Sequence, residues 1–553
     1  MFAGGIAYYN SFSGALVFDD QGSIAENSSI RHFWPLWSVL SPPPEAGGVV
    51  GRPFANFTFA LNYAMSGPAV WSYHALNLAI HLLAACTLFG LVRRTLLLPI
   101  LRERFQPAAG PLALTVAVLW TVHPLQTQVV NYLSQRTETL MGLCYLLTLY
   151  CFIRGTETNA RRWLACSFTA CLLGMASKEV MVTAPLMVFL YDRTFVAGTF
   201  RDAWRQRRPF YLALAATWVV LGCLMLGLRE RGVGYSLGMT AFDYALTECK
   251  VVVLYLRLAV WPHPLVFDYG SDLMAHGAEV VPYVLGLGLL LAIILAAMRS
   301  RRALGFAGCW VFLILAPASS VVPVAGQPMA ESRMYLSLAA LIVLAVLGLY
   351  VLAGRRSLLV WLVVAPVLGA VTVQRNAAYR SAVSLWSDTV AKRPQNARAH
   401  NGLGESLVKA GRPEDAIASF ETALQLNPHY PLAETNLGIA LAKIHRSAEA
   451  IRHFATALQL KPDSAETHYN LAIALLQTNR FEEAIQHLEE ASRIKPGYFE
   501  AHYILAVALH RAGQLPHAIE CYETALRLQP DFEDARQNLE RLRAGQPPTA
   551  PKI

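Results

Sequence analysis

WSYHALNLAIHLLAACTLFGLVRR, residues 71–94, decides the class of this chain. Its apolar run is too long for one face of a soluble helix, and it closes on Arg93 and Arg94. A membrane span needs about 20 mostly apolar residues. A basic pair at one end marks the side on which a span is anchored. Three polar residues interrupt the run. His74, Asn77 and His81 fall at i, i+3 and i+7, so they share one helix face. Polar faces in spans turn toward other helices. Such a face either bonds helix to helix or lines an active site.

Working outward, comparable runs read as spans at about 70–92, 111–122, 137–153, 163–177, 180–192, 209–228, 278–298, 303–320, 337–353 and 357–373. The chain is 55% hydrophobic and 15% charged, whereas soluble domains are about a quarter charged. The stretch FDYALTECKVVVLYLRLAVW, 242–261, is apolar but carries Asp243, Glu248, Lys250 and Arg257. Laid flat at the interface, it leaves Arg93/Arg94, Arg161/Arg162, Arg201/Arg205, Arg299/Arg301/Arg302 and Arg355/Arg356 all on one side, as the basic-loop bias asks. The expectation is ten spans, preceded by the last part of a first span whose beginning is missing (MFAGGIAYYNSFSGALVF). The outer loops are then 10–68, 123–136, about 177–179, 229–277 and 321–336, with everything after 373 on the same outer side.

Beyond 373 the sequence becomes periodic. Pro394, Pro428, Pro462, Pro496 and Pro530 are spaced by 34 residues, the tetratricopeptide repeat length. In that register position 8 is Gly404, Gly438, Ala472 and Ala506; position 20 is Ala416, Ala450, Ala484 and Ala518; position 24 is Phe420, Phe454, Leu488 and Tyr522. Small residues let paired helices approach, a large one fills the space between, and Pro ends the second helix. Four full repeats follow a leading half-repeat (378–393) and precede a charged trailing helix (531–543). Asn436 and Asn470 share repeat position 6, where stacked amides either clamp an extended peptide or form a solvated face. The fold class is therefore all-α: a polytopic membrane domain over 1–373, an α-solenoid over 374–544, and a disordered tail over 545–553.

Several classes are excluded. The net charge of +9 reflects Arg between spans, so nucleic acid is not a partner. The nine cysteines show no zinc spacing and sit mostly in apolar runs. Asn27-Ser28-Ser29 and Asn56-Phe57-Thr58 match the glycosylation triplet, a pattern frequent by chance.

The candidate chemistry lies in the outer loops. Asp19 and Asp20 are adjacent carboxylates; one can act as general base while the other tunes it, or the pair can hold a divalent metal, which nothing else in the sequence requires. Arg136, Lys178 and Arg333 stand at span ends, at headgroup depth, where cations neutralise a lipid phosphate or simply anchor the helix. Arg52, His123, Glu179 and Glu331 complete the polar set, with His123-Pro124 alternatively just ending a helix.

VFDD, GRPFANFTFALNYAMSG, WSYHALNLAIHLL, LWTVHPLQTQVVNYLSQRTE, MASKEVMVTAPLMVFLYD and ESRMYLSLAAL, followed by the repeats, resemble the transmembrane and TPR-repeat-containing O-mannosyltransferases and their bacterial relatives. The resemblance implies a GT-C glycosyltransferase fold. It implies transfer of a sugar, mannose by family habit, from a polyprenyl-phosphate donor to a Ser/Thr hydroxyl of an acceptor protein on the non-cytoplasmic face. On this footing Asp19 or Asp20 is the base, Arg136, Lys178 and Arg333 attend the donor phosphate, and His123 lines the sugar pocket. Arg52, Glu179 and Glu331 match further polar motifs, and the repeats bind acceptor or partner proteins. The expected setting is the bacterial inner membrane with the repeats outside the cytoplasm, or the endoplasmic reticulum membrane with the repeats lumenal. The rivals are a non-enzymatic membrane scaffold, for which one span would suffice, and a lipid or polysaccharide transporter, which would show a through-going polar path rather than a cavity open only outward and sideways to lipid.

Overall fold

The structure is a computed structural model that describes residues 1–226, 241–270, 277–317 and 329–549. The expected outer loops 229–277 and 321–336, and the tail, fall partly outside those residues. Among the described residues every regular element is helical.

Helices occupy the expected apolar runs: Val70–Leu96, Ala109–Val122, Arg136–Thr158, Arg161–Met175, Ala184–Tyr191, Phe200–Met225, Val281–Ser300, Arg302–Leu315, Ser337–Ala353 and Ser357–Asn376. Among the described residues, fewer than ten are long enough to cross a bilayer. Six stretches there qualify by length and apolarity: 70–96, 99–122, 133–158, 200–225, 281–300 and 337–380, the last holding two helices. Arg161–Met175 has 15 residues and Arg302–Leu315 has 14, short of the ~20 that a perpendicular crossing needs. The chain is an integral membrane protein.

Local rules explain the helix ends. Pro53 opens the Pro53–Ser66 helix, where a missing N–H costs nothing, and Gly67 ends it at φ 59°. Arg136–Thr158 stops at Asn159 in the left-handed region. The polar face of Val70–Leu96 bonds helix to helix. His81 Nδ1 lies 3.0 Å from the Tyr335 hydroxyl and its Nε2 lies 3.2 Å from Thr121 O, while Asn77 Oδ1 accepts from Arg136. Trp120 and Trp310 then donate to the carbonyls of Tyr335 and Leu336 at 2.8 and 2.9 Å. These contacts fix the segment that follows Glu331 and Arg333.

The chain divides into two compact units, Met1–Lys392 and Arg393–Ile553. The first unit reaches about twenty residues past the boundary at 373 that the apolar runs suggest. The reason is the helix Ala382–Lys392: Trp386 packs edge-on against Phe267 and Phe18, and Lys392 Nζ donates to Leu265 O at 2.9 Å.

The second unit is a solenoid of helix pairs. Ala397–Lys409 pairs with Pro413–Leu426, Pro431–Lys443 with Ser447–Leu460, Ala465–Gln477 with Phe481–Ile494, and Phe499–Arg511 with Leu515–Leu528; Glu533–Arg543 closes the stack. The repeat register explains the pairing. A Cβ on Gly404 would sit 2.5 Å from the Phe420 ring, and one on Gly438 2.6 Å from the Phe454 ring. Ala416, Ala450, Ala484 and Ala518 are completely buried.

Candidate active site

The VFDD turn is built by three features. Phe18 takes φ 47°, a left-handed conformation that an aromatic residue adopts at a cost of about 1–3 kcal/mol. Asp20 closes the turn, its Oδ2 accepting the Val17 N–H at 3.1 Å. Its Oδ1 accepts the Ser134 N–H at 2.6 Å, tying the loop to the turn just before the Arg136–Thr158 helix. Asp20 is fully buried and Asp19 is exposed. Burial lifts the Asp20 carboxyl from 3.8 to about 7; the Val17 and Ser134 donors oppose the rise and the Asp19 charge adds to it. The two carboxylates thus differ in kind: Asp20 holds the loop and Asp19 is presented. The Asp19 N–H donates to the Tyr132 hydroxyl at 3.0 Å.

A second turn lies against the first because it has no side chains in the way. A Cβ on Gly48 would lie 3.9 Å from the Cβ atoms of both Asp19 and Ser134, and one on Gly22 3.1 Å from Glu45 O. Arg52 Nη1 donates to Gly48 O at 2.9 Å, and its Nη2 pairs with Glu179 at 3.2 Å. Lys178, next in chain, pairs with Glu138 on the first turn of the Arg136–Thr158 helix. Asp19, Asp20, Arg52 and Glu179 are thus carried on turns that pack at Gly48, and Lys178 precedes Glu179 in the chain.

Arg136 stands in the same place but does a different job. It is fully buried, with Nε donating to Asn77 Oδ1 (2.6 Å), Nη1 to Thr58 O (3.2 Å) and Nη2 to Tyr73 O (3.0 Å). Its guanidinium also lies 4.3 Å from the Phe59 ring centroid. This cation welds three helices, spending its donors on protein oxygens. His123 is likewise bonded within the protein. Its Nδ1 accepts the Leu125 N–H at 3.2 Å and its Nε2 lies 3.2 Å from Ala259 O. Both ring nitrogens are engaged, and burial lowers the ring to about 4. His123 ends a helix and holds Ala241–Val260.

Glu331 and Arg333 form a neighbouring group around the Ala241–Val260 helix. Glu331 Oε1 accepts the Val266 N–H at 2.5 Å and the Tyr269 hydroxyl at 3.0 Å. Burial raises its carboxyl, opposed first by Arg375. Arg333 lies 3.5 Å from Glu248, both nearly buried. The two groups meet at Phe267, whose ring contacts Phe18 and Tyr132. Gln128 bridges them again, accepting from Ser332 N–H at 2.8 Å and donating to Phe267 O at 3.3 Å. Sequence reasoning passed over Tyr132, Ser134, Glu138 and Phe267. The polar cluster NYLSQRTE, set between apolar runs, was the available signal.

Among the described residues no three His, Cys, Asp or Glu side chains gather as a metal site. In the solenoid, Asn436 Nδ2 donates to Asn401 Oδ1 at 3.0 Å, and Asn470 Nδ2 to Glu466 O at 2.9 Å. Both triplet asparagines of the first loop are buried; Asn27 Nδ2 donates to Asn56 Oδ1 at 2.9 Å, and Asn56 Nδ2 to Val39 O at 2.7 Å. They serve the loop's core.

Comparison with known proteins finds the repeats in the last third of the chain. Tetratricopeptide repeat family models match residues 373–431, 435–499 and 479–544. A protein O-mannosyl-transferase of Caenorhabditis elegans is 25% identical over 77% of this chain and 62% of its own length. Tmtc3 of Drosophila melanogaster is 26% identical over 76% and 54%, and human TMTC1 24% over 77% and 54%. The chain thus spans little more than half the length of these curated relatives. Among solved structures, YrrB, a TPR protein with an unusual peptide-binding site, covers 30% of this chain and 84% of its own, at 20% identity and TM-score 0.28. A membrane part with apolar helices, followed by a TPR solenoid, is thus similar along about three quarters of this chain to proteins named protein O-mannosyl-transferases.

Proposed function

We propose that the protein is a membrane glycosyltransferase that moves a sugar, mannose by its relatives' names, from a polyprenyl-phosphate donor to a Ser/Thr hydroxyl of a protein acceptor. The observation that carries this reading is the asymmetry of the VFDD pair: a buried Asp20 spends its oxygens on backbone donors while its neighbour Asp19 stays exposed. Asp19 is then the general base. It takes the proton of the acceptor hydroxyl as that oxygen attacks the sugar, and the lipid phosphate departs with the bonding pair. Arg52 is the cation best related to Asp19, through Gly48, and it meets the charge growing on the leaving phosphate by exchanging Glu179 for it. Lys178 adds positive potential behind it. Glu331 and Arg333 hold the wall formed by Val266, Phe267 and the Ala241–Val260 helix. Reaction and solenoid face the non-cytoplasmic side, and the row of repeat asparagines, Asn436 and Asn470 among them, receives the acceptor chain.

The test supplies radiolabelled polyprenyl-phosphate mannose to membranes containing the full chain. Asp19→Asn is expected to lower transfer by about 10²–10⁴-fold with an unchanged unfolding temperature. Undiminished transfer would remove Asp19 as the base. Transfer that is absent from the wild type as well would favour a membrane-anchored TPR scaffold.

A further inference from the structure

A cavity of about 740 Å³ lies among the helices Val70–Leu96, Arg302–Leu315 and Ser337–Ala353, with the short Pro99–Phe105 helix at one end. Its wall follows Ser337–Ala353 from Ala339 to Val351, about 18 Å of helix axis. The lining is apolar, with Leu88, Phe306, Trp310, Val343 and Leu347 prominent. Two charged residues line it as well, Arg104 and Arg301. Both belong to the Val351 end: Phe105, beside Arg104, contacts the Tyr350 ring at 5.9 Å, and Arg301 precedes the helix whose far end reaches Leu336 through Trp310. Both arginines are exposed, and neither side chain has a hydrogen bond or ion pair among the described residues. The apolar rim is open, with Ile100, Leu304 and Val351 exposed by 51%, 47% and 41%.

The cavity is remote from the candidate active site. On the Val70–Leu96 helix, His74 touches Gly14 O near the VFDD loop, while the cavity begins at Leu88, about 21 Å further along the axis. A sugar carried on a lipid held here would not reach Asp19. An apolar trough that opens sideways and ends at two unpaired guanidiniums matches a lipid whose tail fills the trough and whose phosphate takes the arginines. We infer that this cavity binds an anionic phospholipid of the surrounding bilayer, with Arg104 and Arg301 on its phosphate. The inference requires only that the chain sits in a membrane and is independent of the transfer reaction.

Native mass spectrometry of the purified full chain in detergent tests it, with dioleoyl-phosphatidylglycerol, dioleoyl-phosphatidylcholine and undecaprenyl phosphate as probes. Phosphatidylglycerol is expected to bind more tightly than phosphatidylcholine, and the Arg104→Ala/Arg301→Ala pair to weaken it about tenfold or more. Gly348→Leu gives a second measurement. A Cβ at Gly348 meets nothing within 4 Å, so the added side chain enters the trough without disturbing the fold and should lower occupancy by both phospholipids. Phosphatidylglycerol binding that is indifferent to the arginine pair, or equal to that of phosphatidylcholine, overturns the proposal. So does preferential binding of undecaprenyl phosphate, which would make the cavity a carrier-lipid site.

Discussion

Asp20 gives the first unit a pH dependence whose sign is fixed. Burial lifts its carboxyl from 3.8 to about 7 in the folded protein, while in the unfolded chain it titrates near ~3.9. Between these values the folded state holds a proton that the unfolded state has released. Stability therefore falls as pH rises from about 4 to about 7 and is level above that. The whole rise is worth about 4 kcal/mol, of which about 3 kcal/mol is lost between pH 5 and pH 8. Asp20→Asn abolishes the titration. It also leaves one of the two N–H donors, Val17 or Ser134, facing an amide NH₂ instead of an oxygen, at a cost of about 1–3 kcal/mol that does not vary with pH. The difference in stability between wild type and variant should thus shrink by about 3 kcal/mol between pH 5 and pH 8. The assay is the apparent unfolding temperature of both full chains in one detergent across that range. A difference that stays constant with pH would refute the reasoning, because it would mean that Asp20 keeps one charge state throughout.

Three further outcomes follow from the packing. Arg136→Met should destabilise the first unit by about 3–5 kcal/mol, seen as loss of a monodisperse peak in size-exclusion chromatography. A variant that folds normally but fails in sugar transfer would return Arg136 to the donor phosphate. Gly438→Val drives side-chain atoms into the Phe454 ring and should cost about 1–3 kcal/mol, read as faster proteolysis within 397–543, with Phe454→Leu restoring resistance. Expressed in a eukaryotic secretory pathway, the chain should carry no glycan on Asn27 or Asn56, because both side chains are buried and bonded to each other. A mass loss on treatment with peptide N-glycosidase would contradict this.

What was legible in the sequence was whatever depends on neighbours along the chain. The apolar runs, the 34-residue spacing of Pro394 to Pro530 and the shared face of His74, Asn77 and His81 are local patterns, and each has its counterpart in helices, pairs and interhelical bonds. Roles that depend on distant partners were not legible. A charge at a span end looks the same whether it meets lipid or protein; only the folded chain brings Asn77, Thr58 and Tyr73 around Arg136. The extent of the first compact unit was not legible for a related reason. Periodicity assigned 378–393 to the repeats, but Trp386 finds Phe18, more than 360 positions earlier, and so joins the first unit. Adjacency also concealed the division of labour in VFDD, since identical neighbours differ only in which one the left-handed Phe18 turns inward.

The bond from Asp20 to the turn before Arg136 has one further property. Its partners are the backbone N–H groups of Val17 and Ser134, which every residue except proline supplies. The tie itself asks nothing of the side chains at 17 and 134, which burial restricts only in size and polarity, while position 20 admits almost no replacement. A scan of all substitutions across this junction would show one position intolerant of every change facing two that accept small uncharged residues and reject proline. The dependence of the loop on the helix is thus written on one side only, in a single carboxylate.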